Sequence, residues 1–534
     1  MLRINHVKLP LGHSADELRA AVCDALGIND THLVSYSVLR QSLDARHKDR
    51  LCFVYMVDAE VLNEEQVLAS RQNAAVSKAV PFAYQYPSQR APLSSRPVIV
   101  GAGPAGLFAG LLLARSGQRP IMLERGKPLE ERHRDVGRFF SEGVLDSDSN
   151  VQFGEGGAGT YSDGKLTTLI RDSRCRKVLE EMVSAGAPKE ILYKNKPHVG
   201  TDRIRQVVRS LRHTIEQHGG EFRFQHKVTG LVIEQGRITA VTVNGISTIE
   251  SDVVIFAIGN SSRDTFDMLH AAGVMMTPKP FSIGVRIEHP RQLIDRAQYG
   301  RYAGHPQLGA ADYKMVHHCS NGHSAYTFCM CPGGVVIAAA SEAGGVVTNG
   351  MSYYARNKEN SNSALLVGVG PAEFGCAHPL AGVAYQRQWE TKAFLLGGST
   401  YHAPVQLVND FLADRPSTAI GSVKPSYRPG VVPGDLRECL PDNVCQTLKE
   451  AIVAFSRKLN GFALPDAVLT GVETRSSCPV RIVRDNQYQS NIQGLHPAGE
   501  GAGYAGGIMS SAVDGIKVAE AVLKRGLATR SEAS

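Results

Sequence analysis

A short apolar strand that runs straight into a glycine turn and then a helix leaves few folds open to a chain. Val98-Ile99-Val100 leads into Gly101-Ala102-Gly103-Pro104-Ala105-Gly106, then into an apolar helix that stops near Gly117, then into a second strand, Ile121 to Glu124. Each glycine has a physical role: Gly101 permits the tight turn, Gly103 lets backbone approach a pyrophosphate, and Gly106 lets the helix pack closely on the sheet. The helix N-terminus faces the phosphate charge. Glu124 ends the second strand, where a carboxylate can accept both ribose hydroxyls of an adenosine. The pattern predicts a βαβ unit that binds a dinucleotide. It also explains the uncharged run from Pro97 to Ala114, which has the length of a short membrane span but glycines at phosphate-loop spacing.

The rest of the 534 residues is organised around this unit. At 43% hydrophobic, 20% charged and with 53 glycines, the composition is that of a folded chain with ample core, which excludes disordered and collagen-like classes. The net charge of +7 is scattered, so no nucleic-acid-binding arm is predicted. Ten cysteines without paired C-x-x-C spacing read as thiols of a reducing compartment, and the first residues lack a secretory signal, so a cytoplasmic protein without a membrane span is expected. Residues 1–90 read as an α+β module: strands over Ile4–Leu9, Val34–Leu39 and Leu51–Asp58, a helix over Ala15–Leu26, and a solvated hairpin tip at 46–50. Pro81, Pro87, Pro92 and Pro97 mark an extended linker. The nucleotide domain follows over 96–262, with a helix over Arg203–Gln217, turns at Gln235-Gly236 and Asn244-Gly245, and a buried strand over Val253–Ile258. An inserted α+β domain is expected over 263–480, and the nucleotide domain closes over 481–534 with strand, turn and helix.

Two further segments decide which dinucleotide is bound. Asp252 to Asn260 reads as a buried strand ending Ala257-Ile258-Gly259, and Leu495 to Gly503 carries Gly499-Glu500 before the last helix. With Gly101 to Gly106 and Glu124, these segments resemble the glutathione-reductase-type FAD flavoproteins. Most closely, the chain resembles the bacterial FAD-dependent dehydrogenases or oxidoreductases, among them uncharacterised NAD(P)/FAD-dependent oxidoreductases. The further matches are Gln152 to Lys165, Thr327 to Gly334 and Gly499 to Gly507.

The resemblance implies an α/β fold: a Rossmann-like, three-layer ββα FAD domain with an inserted substrate domain and a small N-terminal domain. It implies that Gly101, Gly103, Pro104, Ala105 and Gly106 cradle the pyrophosphate, that Glu124 holds the ribose and that Arg125 lies beside it. It further places Gly157, Gly159 and Thr160 against the flavin or pyrophosphate, Val228 at adenine, Gly259 at a strand end and Glu500 on the ribityl chain. Gly507 opens a helix whose positive end faces flavin N1 and C2=O.

No side chain is assigned to catalysis by sequence. Cys329, Cys331, Arg475 and Cys478 are the candidates: Tyr326–Cys331 reads as a strand with both thiols on one face, either packed, or a strained disulfide, or part of a metal cluster with His317, His318, Cys319 and His323. No spacing matches a standard zinc pattern, so no metal is expected. The C-x-x-x-x-C pair of disulfide reductases does not follow Glu124, and Gly368-Val369-Gly370-Pro371-Ala372-Glu373 fails as a second nucleotide turn because Glu373 replaces the third glycine. The expected function is hydride exchange between flavin and a small molecule, with electrons from the substrate or from transiently docked NAD(P)H. The alternatives are an RNA-modifying flavoenzyme and a non-catalytic flavoprotein whose residues 1–90 bind a protein partner or another copy.

Overall fold

The computed structural model describes residues 1–70, 75–87, 93–375 and 377–531, the last seven of these as backbone. Pro92, part of the expected linker, and Cys376 lie outside the described residues.

The N-terminal module is a four-stranded sheet in the order Leu33–Asp44, Cys52–Val61, Leu2–Pro10, Val76–Lys78. The helix Ala15–Leu26 starts on a capping box, in which Ser14 and Glu17 satisfy each other's backbone N–H, and ends on Gly27 at φ +66°. Its apolar stripe of Leu18, Val22 and Leu26 packs with Leu2, Ile4 and Val57. The hairpin tip is exposed, yet it is also a contact: Lys48 Nζ donates to Ala297 O at 2.7 Å and Arg301 to Asp49 O at 2.8 Å. Gln41 exchanges backbone bonds with Tyr193 and Asn195, so the edge of this sheet is stitched to the next domain. The linker also has anchors, because Tyr84 donates to Glu520 at 2.7 Å on the last helix.

The nucleotide domain is built on a five-stranded parallel sheet in the order Leu495–Pro497, Val254–Phe256, Val98–Val100, Ile121–Glu124, Glu221–Phe224. Strand side chains alternate between faces, and the sheet divides accordingly. Ile99, Met122 and Ile255 meet the helices Pro104–Arg115, Thr201–Gln217 and Ile508–Ser531. Val98, Val100, Leu123, Val254 and Phe256 meet an antiparallel meander of Val228–Glu234, Arg237–Val243 and Ser247–Glu250. Helices, parallel sheet and meander are the three layers expected of a Rossmann-like FAD fold. The run Pro97–Ala114 is the central strand and its buried helix, and among the described residues no helix is long and apolar enough to cross a membrane.

The inserted region carries a seven-stranded mixed sheet around Phe281–Pro290, which is flanked antiparallel by Asn360–Val369 and Val468–Glu473. The short pair Met276–Pro278 and Val480–Ile482 forms the neck between this sheet and the nucleotide domain. Helix Arg263–Ala271 belongs to the nucleotide side, with Phe266 and Leu269 in the same core as Val98. After Val369 the chain turns on Glu373, whose carboxylate accepts Gly370 N–H at 2.7 Å, and the next helix begins only at Ala381.

The Pro104 and Ile508 helices approach backbone to backbone. A Cβ added at Gly515 would lie 2.1 Å from Ala105 O, closer than any real contact. Gly515→Ala is therefore expected to destabilise the chain by about 1–3 kcal/mol through forced separation of the two helices. An unchanged urea midpoint for this variant would mean that the helices do not meet there.

Candidate functional site

The C-terminal ends of three neighbouring parallel strands open into one cleft, the position at which doubly wound sheets take ligands. Val100 leads into Gly101, Phe256 into Ala257 to Asn260, and Pro497 into Gly499 and Glu500. The glycines divide into two kinds. A Cβ on Gly101 would lie 2.4 Å from Ala257 O, one on Gly106 1.9 Å from Gly101 O, and one on Gly499 2.7 Å from Ala105 Cβ, so the fold itself requires them. Gly103 is different: its nearest neighbour would be Gly157 Cα at 3.8 Å, and Gly259 and Gly507 have nothing within 4 Å. Room is left at these three for a ligand to lie against backbone.

Gly159 sits between two helix starts, because its added Cβ would meet Ile508 at 3.1 Å and Pro104 at 3.7 Å. First-turn N–H groups of a helix have no intrahelical partners, so two such ends at one place favour an anion. Ala105 is buried behind them. The residues present therefore fit a dinucleotide: turns open at Gly103, Gly259 and Gly507, and a doubled positive pole. Thr160 is buried and serves the loop, its carbonyl accepting from Thr201 Oγ1 at 2.8 Å. Val228 is buried at the start of the meander, paired with Val243.

Glu124 is tied more tightly than a simple ribose acceptor. Its Oε2 accepts Ala102 N–H at 2.8 Å, and its Oε1 accepts Gly126 N–H at 3.0 Å and Gly154 N–H at 2.9 Å. A carboxylate offers about four acceptor positions. Three are used by the protein, which leaves room for one hydroxyl instead of the two expected from sequence. Arg125 likewise is not free: it donates to Asp264 at 2.8 Å and Thr265 at 2.8 Å, and stacks over Phe153 at 4.4 Å. Those hydrogen bonds, with those from Lys227, hold the Asp264 carboxyl below its ordinary value against the opposing effect of burial.

The loop 150–160 is organised by a residue that the sequence reading missed. Arg132, fully buried, donates to the carbonyls of Asn150 (2.8 Å), Val151 (3.0 Å), Glu155 (2.6 Å), Gly157 (2.9 Å) and, more loosely, Gly154 (3.4 Å). Its guanidinium also lies over the Tyr161 ring at 4.9 Å. Burial lowers its pKa, opposed by Tyr161, Glu124 and Glu155. A signal was present: Leu129, Arg132, Val136 and Phe139 follow the 3-4-3 spacing of one helix face, and all four are buried.

At the far wall stands Glu500, partly exposed, with Oε1 accepting Asn260 Nδ2 at 2.8 Å. Burial pushes its carboxyl up to about 7, relieved in part by the Asn260 hydrogen bond and by Lys279, and raised again by Cys329. Arg475 does not reach the cleft as a free cation. It is 8% exposed, bound to Glu390 at 2.8 Å and to Ser341 Oγ at 2.5 Å, and shares Glu390 with Arg263 at 2.7 Å. Glu390 is held well below the carboxylate range by these two arginines, although its burial opposes this. Cys478 is also buried, its thiol donating to Gly501 O at 3.5 Å, and burial pushes it up to about 12. Both candidates support the site from behind.

Cys329 is partly exposed and close enough to Glu500 for its charge to act there, while Cys331 is fully buried behind it. The strand Ser324–Cys331 forms, but its pairing with Asn360–Val369 shifts register between Phe328 and Cys331, and Cys329 takes φ +42°. Simple alternation over this segment is therefore lost. The histidine cluster separates from this pair: His317 Nε2 lies 3.2 Å from Glu450, and with Cys319 they could offer three metal ligands within 4.8 Å. Glu450 is already engaged by Ser320 N–H at 3.0 Å and Ser320 Oγ at 2.6 Å.

Family models match the nucleotide-binding and inserted segments. Residues 95–137 match an FAD binding domain model, residues 280–476 the model described as FAD-dependent protein, C-terminal domain-like, and residues 1–60 a domain of unknown function. An uncharacterised protein of Clostridium beijerinckii is 46% identical over 527 residues, which is 98% of this chain and 99% of that one. Among solved structures, the halogenase PltM aligns over 82% of this chain and 70% of its own at 11% identity and TM-score 0.38. L-proline dehydrogenase from P. horikoshii aligns over 82% and 95% at 12% identity and TM-score 0.34.

Two outcomes test the site's construction. Arg132→Met leaves five carbonyls without their donor and should cost more than about 4 kcal/mol, or expose 150–157 to proteolysis. Parental stability together with protease resistance would remove Arg132 from the account. Glu500 has a folded-state pKa above its unfolded one, so in the parent its burial begins to cost stability as pH rises through about 4.5 to 7. The melting temperature of Glu500→Gln without cofactor should gain on the parent between pH 5 and pH 8, and a constant gap would contradict the raised carboxyl.

Proposed function

Because the chain belongs to the family of FAD-dependent proteins that includes the clostridial relative, we propose that it is an FAD-dependent oxidoreductase. It would exchange a hydride between flavin and a small molecule in the cleft beside Glu500. The observation that carries this reading is the convergence of the Gly101–Gly106 turn, the 156–160 loop and the Gly499-Glu500 segment on that one cleft.

When bound, FAD supplies a two-electron acceptor and donor. The chain's own residues supply the rest. The backbone at Gly103, Gly157 and Gly159 would lie along the pyrophosphate between the two helix starts, and Glu124 would take one ribose hydroxyl while it closes the turn. The Ile508 helix start, preceded by Gly506 and Gly507, would favour negative charge at its positive end. Glu500, with Oε1 accepting from Asn260, is set near neutral pH to hold a proton on its other oxygen and to exchange it with whatever enters the cleft. The inserted domain, whose Cys329 acts on the Glu500 charge, would cover the cleft and limit the water that enters it. NAD(P)H docking from solvent remains one source of electrons in this scheme and the substrate itself the other, since Gly370 to Glu373 builds a turn and no second nucleotide site.

The purified chain should carry a bound-flavin visible spectrum. Under anaerobic conditions it should bleach with NADH, with NADPH or with a small organic reductant. Gly103→Ala should weaken FAD binding tenfold or more while the cofactor-free melting temperature stays at the parental value, because its added methyl would lie 3.8 Å from its nearest protein neighbour. No flavin in the parent, even after FAD is added, would end this reading. Bound flavin that no donor reduces would leave a structural cofactor.

A further inference from the structure

The inserted sheet presents Cys329 toward the cleft, with Cys331 behind it, in a way that a packed thiol pair does not need. Cys331 is fully buried while Cys329 is partly exposed. In a regular strand, residues two apart sit about 6.6 Å from each other, near the limit for a bridge. Here the register shift and the left-handed backbone at Cys329 break that extended path. Cys331 Sγ also donates to Cys329 O at 3.3 Å. Left-handed backbone at a non-glycine residue is costly and persists only where surrounding structure imposes it.

What imposes it is charge. Arg286, fully buried, donates to Cys329 O at 2.9 Å and is held in place by Glu473 at 2.5 Å, Asn362 at 3.1 Å and Asn349 at 3.0 Å. Lys165, from the loop that follows the glycine-dense segment, donates to Met330 O. Thus two cations clamp successive carbonyls of the Cys329-Met330-Cys331 segment, one from the inserted sheet and one from the nucleotide domain. Asp163, paired with Arg356 at 2.9 Å, and Glu500 are the acidic groups on the other side. The hydrogen bond from Cys331, then Arg286 and Lys165, pull the Cys329 thiol below the ordinary range against its burial, and Cys331 is pushed up. One thiol is set to attack and the other to resolve.

We infer that Cys329 and Cys331 are a dithiol–disulfide couple on the wall of this cleft, and that they reduce a low-molecular-weight disulfide. Cys329 sulfur bonds to one sulfur of the incoming disulfide, whose S–S bond breaks and whose first half leaves as a thiol after taking a proton. Cys331 then loses its proton and bonds to Cys329 sulfur, and the second half leaves as a thiol. Two cysteine thiols are oxidised to one disulfide and one external disulfide is reduced to two thiols. Return to the dithiol takes two electrons and two protons, from reduced flavin or from an external dithiol. Only the flavin route rests on the function proposed above. A disulfide across so short a segment is strained and easily reduced, which suits a couple that turns over.

The test treats the full-length chain, flavin as purified, with bis(2-hydroxyethyl) disulfide, followed by acid quenching and peptide mass mapping. In the parent, the peptide with Cys329 and Cys331 should lose two hydrogens and carry no adduct, at least tenfold faster than the partly exposed Cys52 and Cys175 take up adducts. Cys331→Ser should trap one hydroxyethylthio group on Cys329, and Cys329→Ser should show neither product. A lasting adduct on Cys329 in the parent, or reaction no faster than at Cys52 and Cys175, overturns the proposal. That parental comparison decides even if a variant does not fold. The visible spectrum of the same sample separates the two readings: bound flavin without exchange rejects the thiol couple alone, and exchange without flavin rejects the flavin reading alone.

Discussion

The cleft depends on one buried carboxylate. Glu124 accepts N–H groups from the glycine turn, from its own strand end and from the 150–160 loop, and so fixes three backbone segments that no regular hydrogen-bond ladder joins. Arg132 does the complementary work with carbonyls of the same loop. A glycine-rich segment has the largest backbone entropy to lose on folding. It is ordered here because an anion collects its donors and a cation collects its acceptors. That ordering brings Gly157 opposite Gly103 and sets Gly159 between two helix starts. Removing either charge would leave several buried backbone groups unpaired at once, a larger loss than any single hydrogen bond.

Charge also fixes the inserted region over the nucleotide domain. Arg263 from the nucleotide side, Glu390 from the inserted helix and Arg475 near the neck form a buried chain of ion pairs, extended by Glu342 and Gln386. Such clusters add little net stability, because desolvation consumes most of the attraction, but a mispaired alternative would strand a buried charge. The cluster therefore selects one docking geometry. Arg286 with Glu473 repeats the arrangement inside the inserted sheet. The wall that carries Cys329 thus stands in a defined place relative to Glu500.

The parallel sheet, its order of nucleotide segments and the glycine turn were legible because period-two burial and turn chemistry are local. Ile99 and Val100 part to opposite layers as their alternation requires, and Gly101 and Gly106 are glycine for steric reasons visible in any turn of this kind. The roles of charged residues were not legible, because they depend on partners thirty to more than a hundred positions away. Arg475 read as an available cation until Glu390 and Ser341 were beside it. Glu124 read as a ribose acceptor until Gly154, thirty residues on, claimed part of its capacity. At Cys329 the strand pattern held while the register did not: the shift answers to the Arg286 and Lys165 clamps, which sequence spacing does not encode.

Taken together, these charges make the titration of the cleft collective. A thiolate at Cys329 raises the Glu500 carboxyl and the Glu473 carboxyl, the latter already pushed up to about 7 by burial, while Arg286, Lys165 and Lys279 pull in the other direction. Ionising one anion therefore makes the next harder to ionise, and protons leave the cleft in steps that belong to the group. A proton given up by Glu500 changes the readiness of Cys329 to lose its own, and oxidation of the thiols relieves Glu500 of a neighbouring charge. Any reaction that moves two electrons through this cleft must also move protons among these residues. The oxidation state of the thiol pair and the protonation of Glu500 are, on this geometry, two readings of one electrostatic balance.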